Sequence, residues 1–382
     1  IDTLFFNKIL NFKKLFLFSL ICTSFVSFDI ILQFITGTDL FGYKTFQAQN
    51  ISNSGPFGDE QIAGGYLKNF SFFSFFYIFV EYKDKKFKNS LLIFIIAFHL
   101  VAALLAGNRM PMILFLFGCV LIILLIKNLR LIMILGLLVF LSFFSFLAYS
   151  NKDFRNVYIS FLSDINIFSS DIKKLETSDQ VLKGAPIIVL EGSPDKQTSE
   201  MYPSGFDRYI YISGDIPKKS LLLGFSGHNS IYRTSIVMWK EKPWTGFGLK
   251  SFRIKCWYIL QKDVVKFGAR LQNISCSNHS HNYYLQLLSE AGIVGTSLIV
   301  IFFFILIKNS FYYIKKYNRK TNSDIILIIP VIISIFLEIW PFRSSGSFFT
   351  NSVATFFWFN VSILISANQQ NFLPNTSGKI KI

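Results

Sequence analysis

Acidic residues are scarce in this chain of 382 residues, where 22 Asp and Glu stand against 38 Lys and Arg, giving a formal net charge of +16. Charged residues of both signs make up only 16% of the sequence, and histidine and cysteine number four each. No His or Cys cluster falls at a usual metal-ligand spacing. His279 and His281 with Cys276 form only a loose ligand set, so no metal is expected. The sequence shows no internal repeat and no independent soluble fold. The chain opens on Ile1 without a signal peptide, and further helices are expected ahead of it.

Apolar residues are abundant. The sequence is 52% hydrophobic and 18% aromatic, with 46 Phe, more apolar surface than a soluble domain of this length needs. Repeated apolar runs of about 20 residues predict an all-α, polytopic membrane protein. Eight membrane helices are expected, near 15–35, 61–80, 90–107, 110–127, 130–149, 285–307, 324–341 and 347–366. The lysines cluster between these runs, so they report topology rather than nucleic acid. Every second connection is basic, beginning with Lys8, Lys13 and Lys14 and ending with Lys379 and Lys381. These connections are therefore assigned to the cytoplasm, together with both termini.

Three regions follow: N-terminal membrane helices over 1–149, a large external loop domain over 150–284, and C-terminal helices with a cytoplasmic tail over 285–382. A loop of that length is too long to be a passive connection. Asn151 to Asp215 carries seven Lys/Arg against ten Asp/Glu, whereas Ile216 to Arg270 carries eleven against two. The basic half leads into the histidines. It suits either an anionic ligand such as lipid phosphate or diphosphate, or docking on anionic headgroups. Cys256 and Cys276 lie in the loop and can pair if it is exported. Cys22 and Cys119 lie in apolar runs and are expected to be inert core residues.

Chemistry concentrates where the loop meets the apolar run Ile293 to Ile307. His281 is the candidate general base, since an imidazole with an ordinary pKa of about 6.5 needs only a small shift to act as a neutral acceptor. His279 either holds a substrate hydroxyl, orients its neighbour, or is solvated. His228 is a weaker candidate, and His99 is expected to be packed within a helix. Arg109, at the external end of a helix pair, either binds phosphate through its planar fork or snorkels to the interface. Arg233 and Arg253 share that chemistry. Arg233 begins an amphipathic helix with Tyr232, Ile236 and Trp239 on one face and could aim inward. Arg253 follows Gly246 and Gly248, which allow close backbone approach. Arg343 lies on the same side.

His281, Asn282, Gly292 and Gly295 form a pattern of His, Asn, nine residues, Gly, two residues and a small residue. Together with Trp239, Pro243, Gly246 and Gly248 upstream, it resembles the O-antigen ligase and O-antigen polymerase superfamily of bacterial envelope polysaccharide enzymes. Relatives often show His-Pro-His-Asn, and here Ser280 replaces the proline. The resemblance implies a metal-independent, inverting glycosyltransferase of the inner membrane, with its active site on the periplasmic side. The donor would be a glycan on undecaprenyl diphosphate. The acceptor would be a lipid A–core sugar hydroxyl (ligase) or a second lipid-linked glycan (polymerase). His281 would be the base, with His279, Asn282, Arg109 and either Arg233 or Arg253 on substrate. Membrane lipids are further partners, nucleic acid is not one, and no nucleotide, metal or other cofactor is required. A transporter or flippase for a lipid-linked glycan is the contrasting reading. It predicts paired charges deep within helices, and only Glu338 fits.

Overall fold

A computed structural model describes residues 12–45, 52–152, 154–155, 188–191, 208–211, 229–267, 276–319, 328–344 and 346–372. Helices occupy all eight expected places: α1 Phe12–Thr36, α2 Ala63–Glu81, α3 Lys88–Leu105, α4 Arg109–Leu125, α5 Arg130–Ser150, α8 Tyr283–Arg319, α9 Ile329–Glu338 and α10 Asn351–Phe372. Two more, α6 Asn229–Glu241 and α7 Phe252–Phe267, lie in the loop region. Four apolar stretches are long enough to cross a membrane: Lys13–Thr36, Lys88–Leu105, Lys127–Ser150 and Tyr283–Lys316. Arg109–Leu125, Ile329–Glu338 and Val353–Ser366 are apolar but shorter.

The loop also contains one antiparallel ribbon, β1 Ile188–Glu191 with β2 Arg208–Tyr211, in which Ile188 faces Tyr211. The sequence suggests an irregular, partly helical cap here. The ribbon lies where the sequence runs Ile188-Val189 and Tyr209-Ile210-Tyr211, residue types of high strand propensity.

The bundle packs α1 against α2, α3 against both and against α5, and α9 against α2, α4 and α10. Its centre is aromatic: Phe115 meets Phe72 edge-on at 5.2 Å and stacks on Phe75 at 6.1 Å. Thr23 and Ser74 share a hydrogen bond of 2.8 Å between α1 and α2. His99 is buried and stacked on Phe75, with Ser24 Oγ 3.5 Å from Nε2, so it is a packing residue as expected. Cys119 is buried, but Cys22 is exposed, because α1 turns that face outward. The outward faces are themselves apolar. Leu131, Leu138, Leu141 and Phe146 of α5 and Leu298, Ile301 and Phe304 of α8 are exposed, which suits lipid rather than water.

The described parts of the connection between α1 and α2, residues 37–45 and 52–62, are tied to the helix ends. Gln33 Nε2 donates to the Tyr43 carbonyl and its Oε1 accepts from Gly55 N–H. Asn53 donates to the Leu105 carbonyl at the end of α3.

Candidate functional site

Asparagine ahead of an apolar run is a natural helix start, because its side-chain oxygen can satisfy the first free N–H groups. Asn282 does this for α8: Oδ1 accepts from the N–H groups of Tyr284 at 3.0 Å and Leu285 at 3.1 Å. Its Nδ2 donates to the carbonyls of Pro341 at 2.8 Å and Arg343 at 3.2 Å. One side chain thus fixes the start of α8 to the turn between α9 and α10, and the protein engages both its polar ends. Gln286 adds a second tie one turn later, donating to Ser347 Oγ and accepting from Phe348 N–H.

His281 precedes this cap with φ of 54°, the left-handed region. A non-glycine residue there stores strain that the surroundings must hold, and such residues gather at functional sites. Tyr232 of α6 donates its hydroxyl to the His281 carbonyl at 3.4 Å. The imidazole Nε2 lies 3.2 Å from Ser277 Oγ, and the ring packs on His279 with centroids 4.1 Å apart. The two histidines that the sequence singles out therefore form one unit, with His281 partly exposed.

The segment ahead of the site docks on α8 through backbone. Gly292 has φ of 65° and interrupts α8. The freed groups are taken up by the turn after α6: Ile293 N–H donates to the Pro243 carbonyl at 2.7 Å and Val294 N–H to that of Trp244 at 3.2 Å. In return Phe247 N–H donates to the Ser289 carbonyl and Gly248 N–H to that of Glu290. This approach requires glycine on both sides. A Cβ on Gly292 would lie 2.3 Å from the Trp244 carbonyl carbon, and one on Gly246 would lie 2.4 Å from that of Glu290. Glu290 completes the seam, its carboxylate accepting from the N–H groups of Lys250 and Phe252 at the start of α7. Gly292→Ala is expected to destabilise the protein by about 1–3 kcal/mol from backbone strain alone. A lowered thermal unfolding midpoint in detergent checks this.

A disulfide joins Cys256 of α7 to Cys276, one residue before Ser277. The pairing that the sequence allows is therefore present, and it anchors the approach to His281.

Beneath Asn282 lies a buried charged group. Glu338, at the end of α9, pairs with Lys68 of α2 through one oxygen and with Arg343 Nη1, at 2.7 Å, through the other. The Tyr283 hydroxyl donates to the same carboxylate, and the Arg343 guanidinium lies 5.0 Å above the Tyr283 ring. Burial works most strongly against the charge of Arg343, but the Glu338 carboxylate together with Tyr283 and Tyr284 outweighs it and raises the guanidinium above its ordinary range.

These contacts relate the predicted arginines to the histidine. Asn108 accepts from Gly64 N–H at 2.9 Å and donates to the Gln61 carbonyl at 3.1 Å, tying the start of α4 to the start of α2. Lys68, about one turn along α2, meets Glu338, and Glu338 meets Arg343, whose carbonyl is held by Asn282. Arg109, the first residue of α4, thus lies at the same end of the bundle as His281. Arg233 and Arg253 flank the site from α6 and α7, next to Tyr232 and Phe252. Both are exposed, so Arg233 does not aim inward. His228 lies outside the described residues.

Sequence reading missed Lys68 and the structural task of Glu290. The available signal was a lysine and a glutamate of opposite sign in two apolar helices, where an unpaired charge is expensive. The transporter reading lacked a partner for Glu338, and Lys68 supplies one. The pair nevertheless sits near the start of α2 and at the end of α9, not deep within either helix.

No curated protein matches the chain. The family model for O-antigen ligase matches residues 92–300, from within α3 into α8, and covers Arg109, Arg233, Arg253, His279, His281, Asn282 and Gly292. With apolar helices long enough to cross a membrane more than once and over half its length matched, this chain is a multi-pass membrane protein that belongs to the O-antigen ligase family.

Proposed function

We propose that the protein is an inverting, metal-independent glycosyltransferase that moves a glycan from undecaprenyl diphosphate to a sugar hydroxyl of lipid A–core, at the periplasmic face of the inner membrane. The observation that carries this reading is His281, held in a strained left-handed conformation at the end of the bundle where Arg109 starts its helix. In the reaction, the acceptor oxygen attacks the anomeric carbon as the bond to the diphosphate oxygen breaks on the opposite face. The hydroxyl proton passes to an imidazole nitrogen of His281, where Ser277 now occupies Nε2, and leaves later to water. The electron pair departs with the diphosphate, whose developing charge is stabilised by Arg109 and by Arg233 or Arg253. His279 supports the ring of His281. The Cys256–Cys276 disulfide favours an exported location for this end, since such bonds persist in oxidising compartments.

Polymerase chemistry in the same superfamily differs only in its acceptor, a second lipid-linked glycan. The lipopolysaccharide ladder of a deletion strain separates the two. A core bare of long chains is the expected result. A core carrying a single repeat indicates polymerase, and an unchanged ladder overturns the enzyme reading.

A further inference from the structure

Arg343 has more donor capacity than the protein uses. The residue is only 9% exposed. Among the described residues its guanidinium donates from Nη1 alone, to the carbonyls of Leu337 and Glu338 and to the Glu338 carboxylate. Nε is buried and finds no acceptor among the described residues. In a planar guanidinium, Nε–H and one Nη2–H run parallel along one edge, a spacing that matches two oxygens of one anion. Buried donors without a partner are rare enough to need an explanation.

Charge points the same way. Lys68 and Arg343 bring two positive charges to the one negative charge of Glu338, so the cluster carries a surplus of one. The cluster that carries the surplus is also the one that holds the unfilled edge. That edge is also rigid, since Glu338 holds Nη1, the Tyr283 ring lies under the guanidinium, and Asn282 holds the Arg343 carbonyl. Asn282 adjoins His281, so the fork belongs to the same structural unit as the imidazole.

We propose that the Nε–Nη2 edge of Arg343 is a bidentate phosphoryl-binding fork that takes one phosphate of the lipid-linked donor. This rests on the donor reading above and adds a contact from outside the matched region 92–300. The test compares wild-type protein with Arg343→Lys, which keeps a cation for Glu338 but has no fork. Farnesyl diphosphate and phosphatidylglycerol are titrated separately in detergent. The expected result is that the variant binds farnesyl diphosphate about tenfold more weakly or worse, with phosphatidylglycerol unchanged. Equal diphosphate affinity in both proteins overturns the fork and leaves the donor reading standing. Loss confined to phosphatidylglycerol means that the edge takes a headgroup, which also overturns it. No diphosphate binding by the wild-type protein removes the donor reading and the fork together. Should the variant fail to fold, the Arg343 Nε–H resonance of ¹⁵N-labelled wild-type protein decides: a shift on adding farnesyl diphosphate supports the fork, and an unmoved resonance overturns it.

Discussion

His281→Ala is expected to lower the turnover of glycan transfer by about 10²–10⁴-fold, the range for losing a positioned general base. Donor affinity should change little, because the proposed phosphate contacts come from arginines. The helix start should also survive, since Asn282 caps α8 with its own side chain and Tyr232 bonds the backbone of residue 281 rather than its ring. Single-turnover transfer from a lipid-linked glycan, measured alongside donor binding, separates the two effects. His281→Asn is the better-behaved companion, because asparagine tolerates the left-handed backbone of this position. Full transfer by both variants would falsify the base assignment.

Glu338→Gln is expected to destabilise the protein by about 3–5 kcal/mol, the usual result of removing one member of a buried ion pair. Glu338 is the shared anion of Lys68 and Arg343, and its loss leaves two buried cations facing each other across a neutral amide. The sign can be tested independently. Adding Lys68→Met returns the cluster to its original surplus of one positive charge, so the double variant should recover part of the lost stability. A double-mutant cycle on unfolding midpoints in detergent measures that coupling. Strict additivity of the two substitutions would show that the cluster contributes no such energy.

The sequence carried the pattern of the site better than its reasons. His281, Asn282 and Gly292 were legible as a motif, but the motif does not say that Asn282 is a helix cap or that Gly292 breaks a helix to let another segment dock. Both tasks depend on partners supplied by other parts of the chain, the turns around Pro243 and Pro341. The helices of the bundle were visible because apolar runs are local, though among the described residues only four are long and apolar enough to cross a membrane. Lys68 was not recognised, because its partner lies 270 residues away and no periodicity links them. Arg233 was legible as part of a helix but not in its direction. The buried positions of α6, Ile231, Tyr232, Thr234, Ser235 and Met238, leave residue 233 on the outer arc, since consecutive residues are turned by about 100°.

The interruption at Gly292 also fixes the axial position of α8 against the turn after α6. If α8 slid along its own axis by even one residue, the carbonyls of Pro243 and Trp244 would lose their partners and the amides of Phe247 and Gly248 theirs. Stranding such groups near hydrocarbon is heavily penalised. The seam is therefore a register stop, and main-chain pairing rather than side-chain packing sets where the start of α8, with His281 just ahead of it, stands against that turn.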